Sequence, residues 1–347
     1  MKNPPISRII LLLIASVIMK SDGLLFSTKR FACHTFPRIH YRSSIRSMHK
    51  SRTVNTSSSI LYDGVNLSEY MVVSSRSNEK VKLLKALLIK KNRDSENLLL
   101  LEGHRQIIDA INGGYYPHTL LLSDEAVAAP LGELLLNSLT KCRSSTVYRA
   151  SSDLIQSISD TVSSQGVVAS FSKPQKNTHL TLNHSPIIVL MDRPNDPGNL
   201  GTIIRTAYGM GVDAVIIVDG CDPWSPKVLR SAMGMCLKLP LFEASWKDGS
   251  IPDLLFSGRS ELGLKPYQLL LADADPSGQV YHKVDMTGPT VIVVGSEASG
   301  IGAEARAFAD KKYIRIPTSA LREDLESFNA AVACSILIAE AARQRMK

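Results

Sequence analysis

From residue 71 onward, short unbroken apolar runs alternate with segments whose apolar side chains recur every three or four positions, which predicts strands alternating with helices. Ser77-Asn78 precedes Lys80 to Leu88, where Leu84, Leu87 and Leu88 share one face, so an amphipathic helix is predicted there. Leu98 to Leu101 reads as a buried strand, Glu102-Gly103 as a turn, and His104 to Asn112 as a helix closed by Gly113-Gly114. Thr119 to Leu122 and Leu131 to Leu139 give the next strand and helix, and Gln165 to Phe171 the last strand of a small α/β domain. The polar, proline-containing stretch Lys173 to His184 reads as a linker.

A second set follows. Ile187 to Met191, Ala214 to Val218, Leu269 to Ala272, Val291 to Val294 and Tyr313 to Ile316 are apolar runs of the buried, parallel-strand type. Helices are predicted between and after them over Leu200 to Met210, Ser225 to Met235, Ala303 to Phe308 and Phe328 to Arg345, giving a parallel-sheet α/β layer without internal repeats.

Charge changes this picture in one place. The whole chain carries a formal +8, but residues 1–62 hold ten Lys and Arg against Asp22 alone, so the remainder is close to neutral. Ile9 to Met19 is too short to span a bilayer, and Leu24 to Ser59 is rich in Arg and Ser with no acid, the composition of an organellar transit peptide. Residues 1–62 are therefore expected to be a targeting presequence into a plastid or a mitochondrion, with no stable membrane association of the mature chain. The five cysteines form no C-x-x-C pair and no cluster with histidine, so neither a disulfide framework nor a zinc site is expected.

The basic side chains Lys80, Lys82, Lys85, Lys90, Lys91 and Arg93 cluster around the first helix. They read either as a solvated face or as contacts to RNA phosphates. Three polar segments, the first two glycine-bearing, follow strand ends, where open α/β sheets place ligands. In the first, Asp192 to Ala207, Asn199 is placed to cap a helix that carries Arg205, and the pair reads as cap and surface cation or as a site. The second, Gly295-Ser296-Glu297-Ala298-Ser299-Gly300-Ile301-Gly302, has glycines that let backbone approach a ligand but is not a G-x-G-x-x-G. The third runs from Ile314-Arg315-Ile316-Pro317 to Glu326-Ser327-Phe328-Asn329, where Ser327 or Asn329 could cap the last helix or bind a ligand.

These three segments, in this order, resemble the motifs of the SpoU/TrmH family of S-adenosylmethionine-dependent RNA ribose 2′-O-methyltransferases, members of the SPOUT superfamily. The family's Asn-x-Gly-x-x-x-Arg core is similar to Asn199-Leu200-Gly201-Thr202-Ile203-Ile204-Arg205, and its Gly-x-Glu motif to Gly295-Ser296-Glu297. Its Ile-Pro and Ser-Leu-Asn elements are similar to Ile316-Pro317 and Ser327-Phe328-Asn329, and Ser225 to Gly234 also looks like the family. Residues 76–170, with Glu102-Gly103, Ile158 to Thr161 and Gln165-Gly166, resemble its amino-terminal substrate-binding domain. Phe328, Ala298 and Thr318 depart from the usual Leu, Gly and Met, which bears on pocket shape and not on polar groups.

The resemblance implies a SPOUT trefoil-knotted parallel-sheet methyltransferase domain over 186–347, a linker over 176–185, and a small ribosomal-protein-like (L30e-like) α/β RNA-binding domain over 63–175. It implies a homodimer, S-adenosyl-L-methionine as cofactor, no metal, and RNA as partner, ribosomal RNA ahead of transfer RNA. The implied cofactor residues are Leu271, Ala272, Gly295, Ser296, Gly300, Ile316, Pro317, Ser327 and Phe328. The implied catalytic residues are Arg205, Asn199, Glu297, Asn329 and Ser327, with Glu297 positioning Arg205 and the asparagines orienting the ribose. Lys227 and Arg230 join the basic helix as expected RNA contacts. A silent RNA-binding assembly factor on the same scaffold is the rival reading; a dinucleotide oxidoreductase lacks its glycine fingerprint.

Overall fold

The computed structural model describes residues 61–346, apart from 63–64, 144–145, 175–184, 257–265, 310–311 and 319–326. The expected presequence and linker therefore lie almost wholly outside the described residues. Leu61–Tyr62 (β1) and Val65–Asn66 (β2) pair as a short antiparallel ladder.

The basic segment forms two helices instead of one, Glu79–Ala86 (α1) and Lys90–Glu96 (α2). Asn78 caps the first by accepting from the Lys80 N–H at 2.9 Å. Its end is fixed by side chains of the second, since Asn92 donates to the Ala86 carbonyl at 2.9 Å and Arg93 to that of Leu87 at 2.7 Å. Orphan carbonyls that find side-chain donors no longer need another helical turn, and fully buried Leu87 anchors the bend.

Leu98–Glu102 (β3), Pro117–Leu122 (β4), Val147–Arg149 (β5) and Val167–Ser172 (β6) form a sheet in the order β3-β6-β4-β5. β6 runs antiparallel to β3 and β4, while β4 and β5 are parallel. His104–Asn112 (α3), Asp124–Ala128 (α4), Gly132–Leu139 (α5) and Ser152–Gln156 (α6) complete this domain. The short elements β5, α4 and α6 leave no periodic signal in the sequence.

In the second domain Ile187–Asp192 (β7), Pro197–Gly209 (α7), Ala214–Val218 (β8) and Pro226–Ser231 (α8) come first. Leu241–Ala244 (β9), Ser250–Phe256 (α9), Gln268–Ala272 (β10), Gln279–Val280 (β11) and Thr290–Val294 (β12) follow, then Ala303–Phe308 (α10), Tyr313–Arg315 (β13) and Ala330–Arg345 (α11). The seven strands are parallel in the order β11-β13-β10-β12-β7-β8-β9. β13 thus enters between two strands that precede it in the chain, an order no local signal predicts. The edge strands β9 and β11 and helix α9 are not legible in the sequence: one strand is interrupted by Glu243, the other has two residues.

One hydrophobic cluster runs through both domains, from Leu99 and Phe171 in the first sheet to Val189, Val228 and Leu337 in the second domain. Tyr115 donates its hydroxyl to the Leu237 carbonyl at 3.0 Å across the same boundary.

Candidate active site

The connections after β10, β12 and β13 converge at the carboxyl ends of adjacent strands, around a cavity of about 590 Å³. This is where an open parallel sheet leaves a crevice. Its floor is apolar, with Val294, Ile314, Ile316, Phe328 and Leu337, and its rim carries Asp273, Ser296, Ser299, Arg306 and Ser327.

The loop after β12 closes on itself. Ser296 and Gly300 exchange both backbone hydrogen bonds at 3.0 Å, and the Ser299 N–H donates to the Ser296 hydroxyl at 3.1 Å. Gly300 turns with φ 65°, and a Cβ at Gly295 would overlap the backbone of Gly300 and Ile301, so a side chain at Gly295 would force the loop open. The turn presents exposed Glu297 at its tip.

Glu297 meets the first motif there. One carboxylate oxygen accepts from the Asn199 side-chain amide at 2.9 Å and the other from the Asn195 N–H at 3.2 Å. Asn199 in turn accepts from the Asn329 side-chain amide at 3.1 Å, while the Asn329 oxygen caps α11 by accepting from the N–H groups of Ala331 at 2.9 Å and Val332 at 3.3 Å. Each amide is thereby oriented by its neighbour, and three segments far apart in sequence share one polar relay.

Two sequence expectations change here. Asn199 does not cap its helix: Asp196 does, accepting from the Asn199 N–H at 2.7 Å with Pro197 at the first helical position, and this frees the Asn199 side chain. Glu297 holds Asn195 and Asn199 and makes no ion pair with Arg205, which is exposed, outside the cavity lining, and without an ion pair among the described residues. Arg205 lies six residues beyond Asn199, roughly 9 Å along the helix axis.

Of the expected cofactor residues, Ala272, Gly295, Ser296, Gly300, Ile316, Ser327 and Phe328 line the cavity. Leu271 does not; strand alternation turns it into the sheet core beside Val293. Pro317 is exposed and also outside the lining.

The structure adds groups that sequence reading passed over. Asp192, fully buried at the end of β7, accepts from the Trp246 indole at 2.8 Å and from the Gly302 N–H at 2.7 Å, pinning the far end of the Glu297 loop. Arg306 bonds Asp273 at 2.6 Å across the cavity rim, and hydrogen bonding to the Tyr313 hydroxyl and to Asp273 raises its guanidinium pKa further. The only signal available was an acid immediately after a predicted strand, in both Asp192 and Asp273.

The expected RNA contacts divide. Lys82, Lys85, Lys91 and Lys227 are exposed, and Lys80 lies 4.8 Å over the Tyr148 ring. Arg93 is 2% exposed and ion-paired to Asp222 of the second domain, which removes it from any RNA surface. Arg230 pairs with Asp160 at 2.9 Å and lies 3.7 Å from Glu102, and Lys90 pairs with Glu243 at 3.3 Å; both are occupied between the domains.

Burial pushes the Cys221 thiol up to about 11, with the carboxylates of Glu297, Asp196 and Asp222 adding to the effect. Burial alone raises Cys334 to about 12. Among the described residues no group of three or more His, Cys, Asp or Glu is arranged to hold a metal ion, and no helix is long and apolar enough to cross a membrane.

A cavity of this volume, within the ~300–1,000 Å³ of ordinary ligand pockets, with an apolar floor, a polar rim and a tight glycine loop, fits a nucleoside carrying a charged tail. The fold and the site define a SPOUT methyltransferase that takes S-adenosylmethionine. Residues 186–339 match the SpoU rRNA Methylase family and residues 78–169 the MRM3-like substrate binding domain. The chain is 33% identical to rRNA methyltransferase 3A, mitochondrial, of Danio rerio over 73% of its own length and 65% of that protein's. It is 30% identical to the 23S rRNA (guanosine(2553)-2'-O)-methyltransferase RlmP of Bacillus subtilis, over 77% of this chain and 97% of that one. The SpoU methyltransferase AviRb of Streptomyces viridochromogenes, solved in complex with AdoMet, superimposes with a TM-score of 0.67 at 28% identity, covering 77% of this chain and 98% of the other. The chain belongs to the SpoU rRNA methylase family.

Proposed function

We propose that this protein transfers a methyl group to a ribose 2′-hydroxyl of organellar RNA, with ribosomal RNA as substrate, and that it works as a homodimer. The relay of Glu297, Asn199 and Asn329 at the cavity carries this reading. It holds fixed hydrogen-bonding groups beside the space where a nucleoside cofactor fits, which is what aiming a weakly acidic hydroxyl requires.

When bound, S-adenosylmethionine supplies an electrophilic methyl group. The chain's own residues hold and orient. Ala272, Gly295, Ser296, Gly300, Ile316, Ser327 and Phe328 enclose the cofactor. Asn199 and Asn329 orient the ribose, and Glu297 fixes Asn199. Arg205, unpaired among the described residues, anchors the neighbouring phosphate and stabilises negative charge on the ribose oxygen as its proton is lost. A guanidinium stays protonated, so it serves better as an electrostatic anchor than as a base.

Dimerisation is supported by the exposed apolar side chains Tyr208 of α7, Met210 just beyond its end and Val332 of α11, the helix joined to α7 through Ser335 and Thr206. Ribosomal RNA and an organelle are supported by the names of those relatives, and the organelle also by the acid-free Leu24 to Ser59. The test is transfer of tritium from methyl-labelled S-adenosylmethionine to ribosomal or transfer RNA by the purified protein. Incorporation that maps to a 2′-oxygen of ribosomal RNA is expected; RNA binding without any incorporation would leave the silent assembly-factor reading.

A further inference from the structure

The amino-terminal motifs Glu102-Gly103 and Ser159-Asp160-Thr161 have no part in the chemistry above. They converge on Arg230 of the second domain. Asp160 pairs with its guanidinium at 2.9 Å, and the Glu102 carboxylate lies at 3.7 Å. Glu102 is itself buried and held by the hydroxyls of Ser159 and of Thr161, the latter at 2.6 Å. The first domain therefore builds a preorganised acidic socket for one cation of the second. A reciprocal contact lies nearby, where Arg93 of the first domain is buried against Asp222 of the second. Between these polar contacts the two domains share one hydrophobic cluster.

The buried Arg93–Asp222 pair adds little net stability but penalises every arrangement that leaves one charge unpaired, and Arg230, partly exposed beside Asp160, answers the buried Glu102 carboxylate under the same penalty, so the two contacts fix geometry. We propose that Arg230, with Arg93, is a positioning residue that locks the RNA-selecting domain at a set distance and angle from the methyl-transfer cavity, so that the reach between them selects the nucleotide. The proposal rests on the function proposed above. It replaces the sequence expectation that Arg230 grips a phosphate.

The two roles predict opposite signs for one substitution. Arg230→Ala and Asp160→Ala break the same ion pair from opposite domains, and Asp160 is half exposed, so its loss leaves the core untouched. If Arg230 positions, both variants of the full chain lose kcat/KM on a large-subunit ribosomal RNA transcript by about 10- to 100-fold, the penalty of a misplacement remote from the reacting atoms. Both then also spread methylation over neighbouring nucleotides, keep wild-type affinity for S-adenosylmethionine, and give a larger radius of gyration by small-angle X-ray scattering in the absence of RNA. If Arg230 grips RNA, Asp160→Ala frees it and tightens RNA binding, while Arg230→Ala lowers the slope of log affinity against log salt by ~0.7 to 0.9. Opposite signs for the two variants, or unchanged scattering with unchanged kcat/KM, would overturn the proposal. Absence of methyl transfer by the wild-type chain would refute the proposed function alone, since the scattering comparison still tests the clamp.

Discussion

Asn199 accepts a hydrogen bond from the Asn329 amide at 3.1 Å, which ties the first helix of the catalytic domain to the last across 130 residues of chain. The same Asn199 donates to Glu297 at 2.9 Å, so its carboxamide is read from both sides and cannot be flipped without losing both bonds. Replacing Asn199 by Ala leaves the cap at Asp196 intact, whereas replacing Asn329 by Ala removes the cap of α11, at a cost of about 0.5–2 kcal/mol. Asn199→Ala is therefore expected to keep the wild-type melting temperature while losing methyl transfer, and Asn329→Ala to lose both. Calorimetry beside single-turnover kinetics reads the split, and equal thermal destabilisation by the two changes would count against it.

Arg205 is exposed on α7 with no carboxylate partner among the described residues, so its replacement exposes no buried charge. Arg205→Ala should leave stability and cofactor affinity unchanged while lowering kcat by ~10²–10³, the usual loss when one preorganised transition-state donor is removed. Arg205→Lys should recover little, because a point charge does not reproduce a planar fork. Turnover near wild type in either variant would make Arg205 a surface cation only.

Lys82, Lys85 and Lys91 remain exposed on α1 and α2 after Lys90 and Arg93 are assigned to partners in the second domain. Neutralising the three together should flatten the dependence of log RNA affinity on log salt by ~0.7 to 0.9 for each phosphate left without its lysine. Filter binding over a salt series measures it, and an unchanged slope would place the RNA path elsewhere on the molecule.

The thiols supply a pH test. Burial first, and then the carboxylates of Glu297, Asp196 and Asp222, hold Cys221 up to about 11, above the ordinary thiol value. A raised value means that the thiolate is scarce below it, on the order of 10⁻³ of the population at pH 8. Alkylation of Cys221 by iodoacetamide, followed by mass spectrometry, should be slow at pH 8 and rise about tenfold for each pH unit until near pH 11. A fast reaction at neutral pH would mean that the burial of Cys221 is relieved in solution.

Elements whose signal is local are legible in the residues alone. The buried strands Ala214–Val218 and Thr290–Val294 are apolar runs, and the helices His104–Asn112 and Ala303–Phe308 follow from periodicity and flanking glycines. Asn199, Glu297 and Asn329 also stand out there, as members of three polar segments after strand ends whose order resembles the family's motifs. What those residues touch is settled only by the folded chain. Asn199 has the position of a cap, yet Asp196, three residues earlier, takes that place and releases its side chain. Arg93 and Arg230 carry the same charge as Lys82, and nothing in their spacing separates them; burial against Asp222, and pairing with Asp160 and Glu102, does. Asp192 and Trp246 lie 54 residues apart, and Gly302 another 56 beyond, and their meeting depends on the parallel order β12-β7-β8-β9. Hydrophobic pattern fixes which face a residue presents, whereas the partner it meets there depends on strand order and threading, which sum over the whole chain.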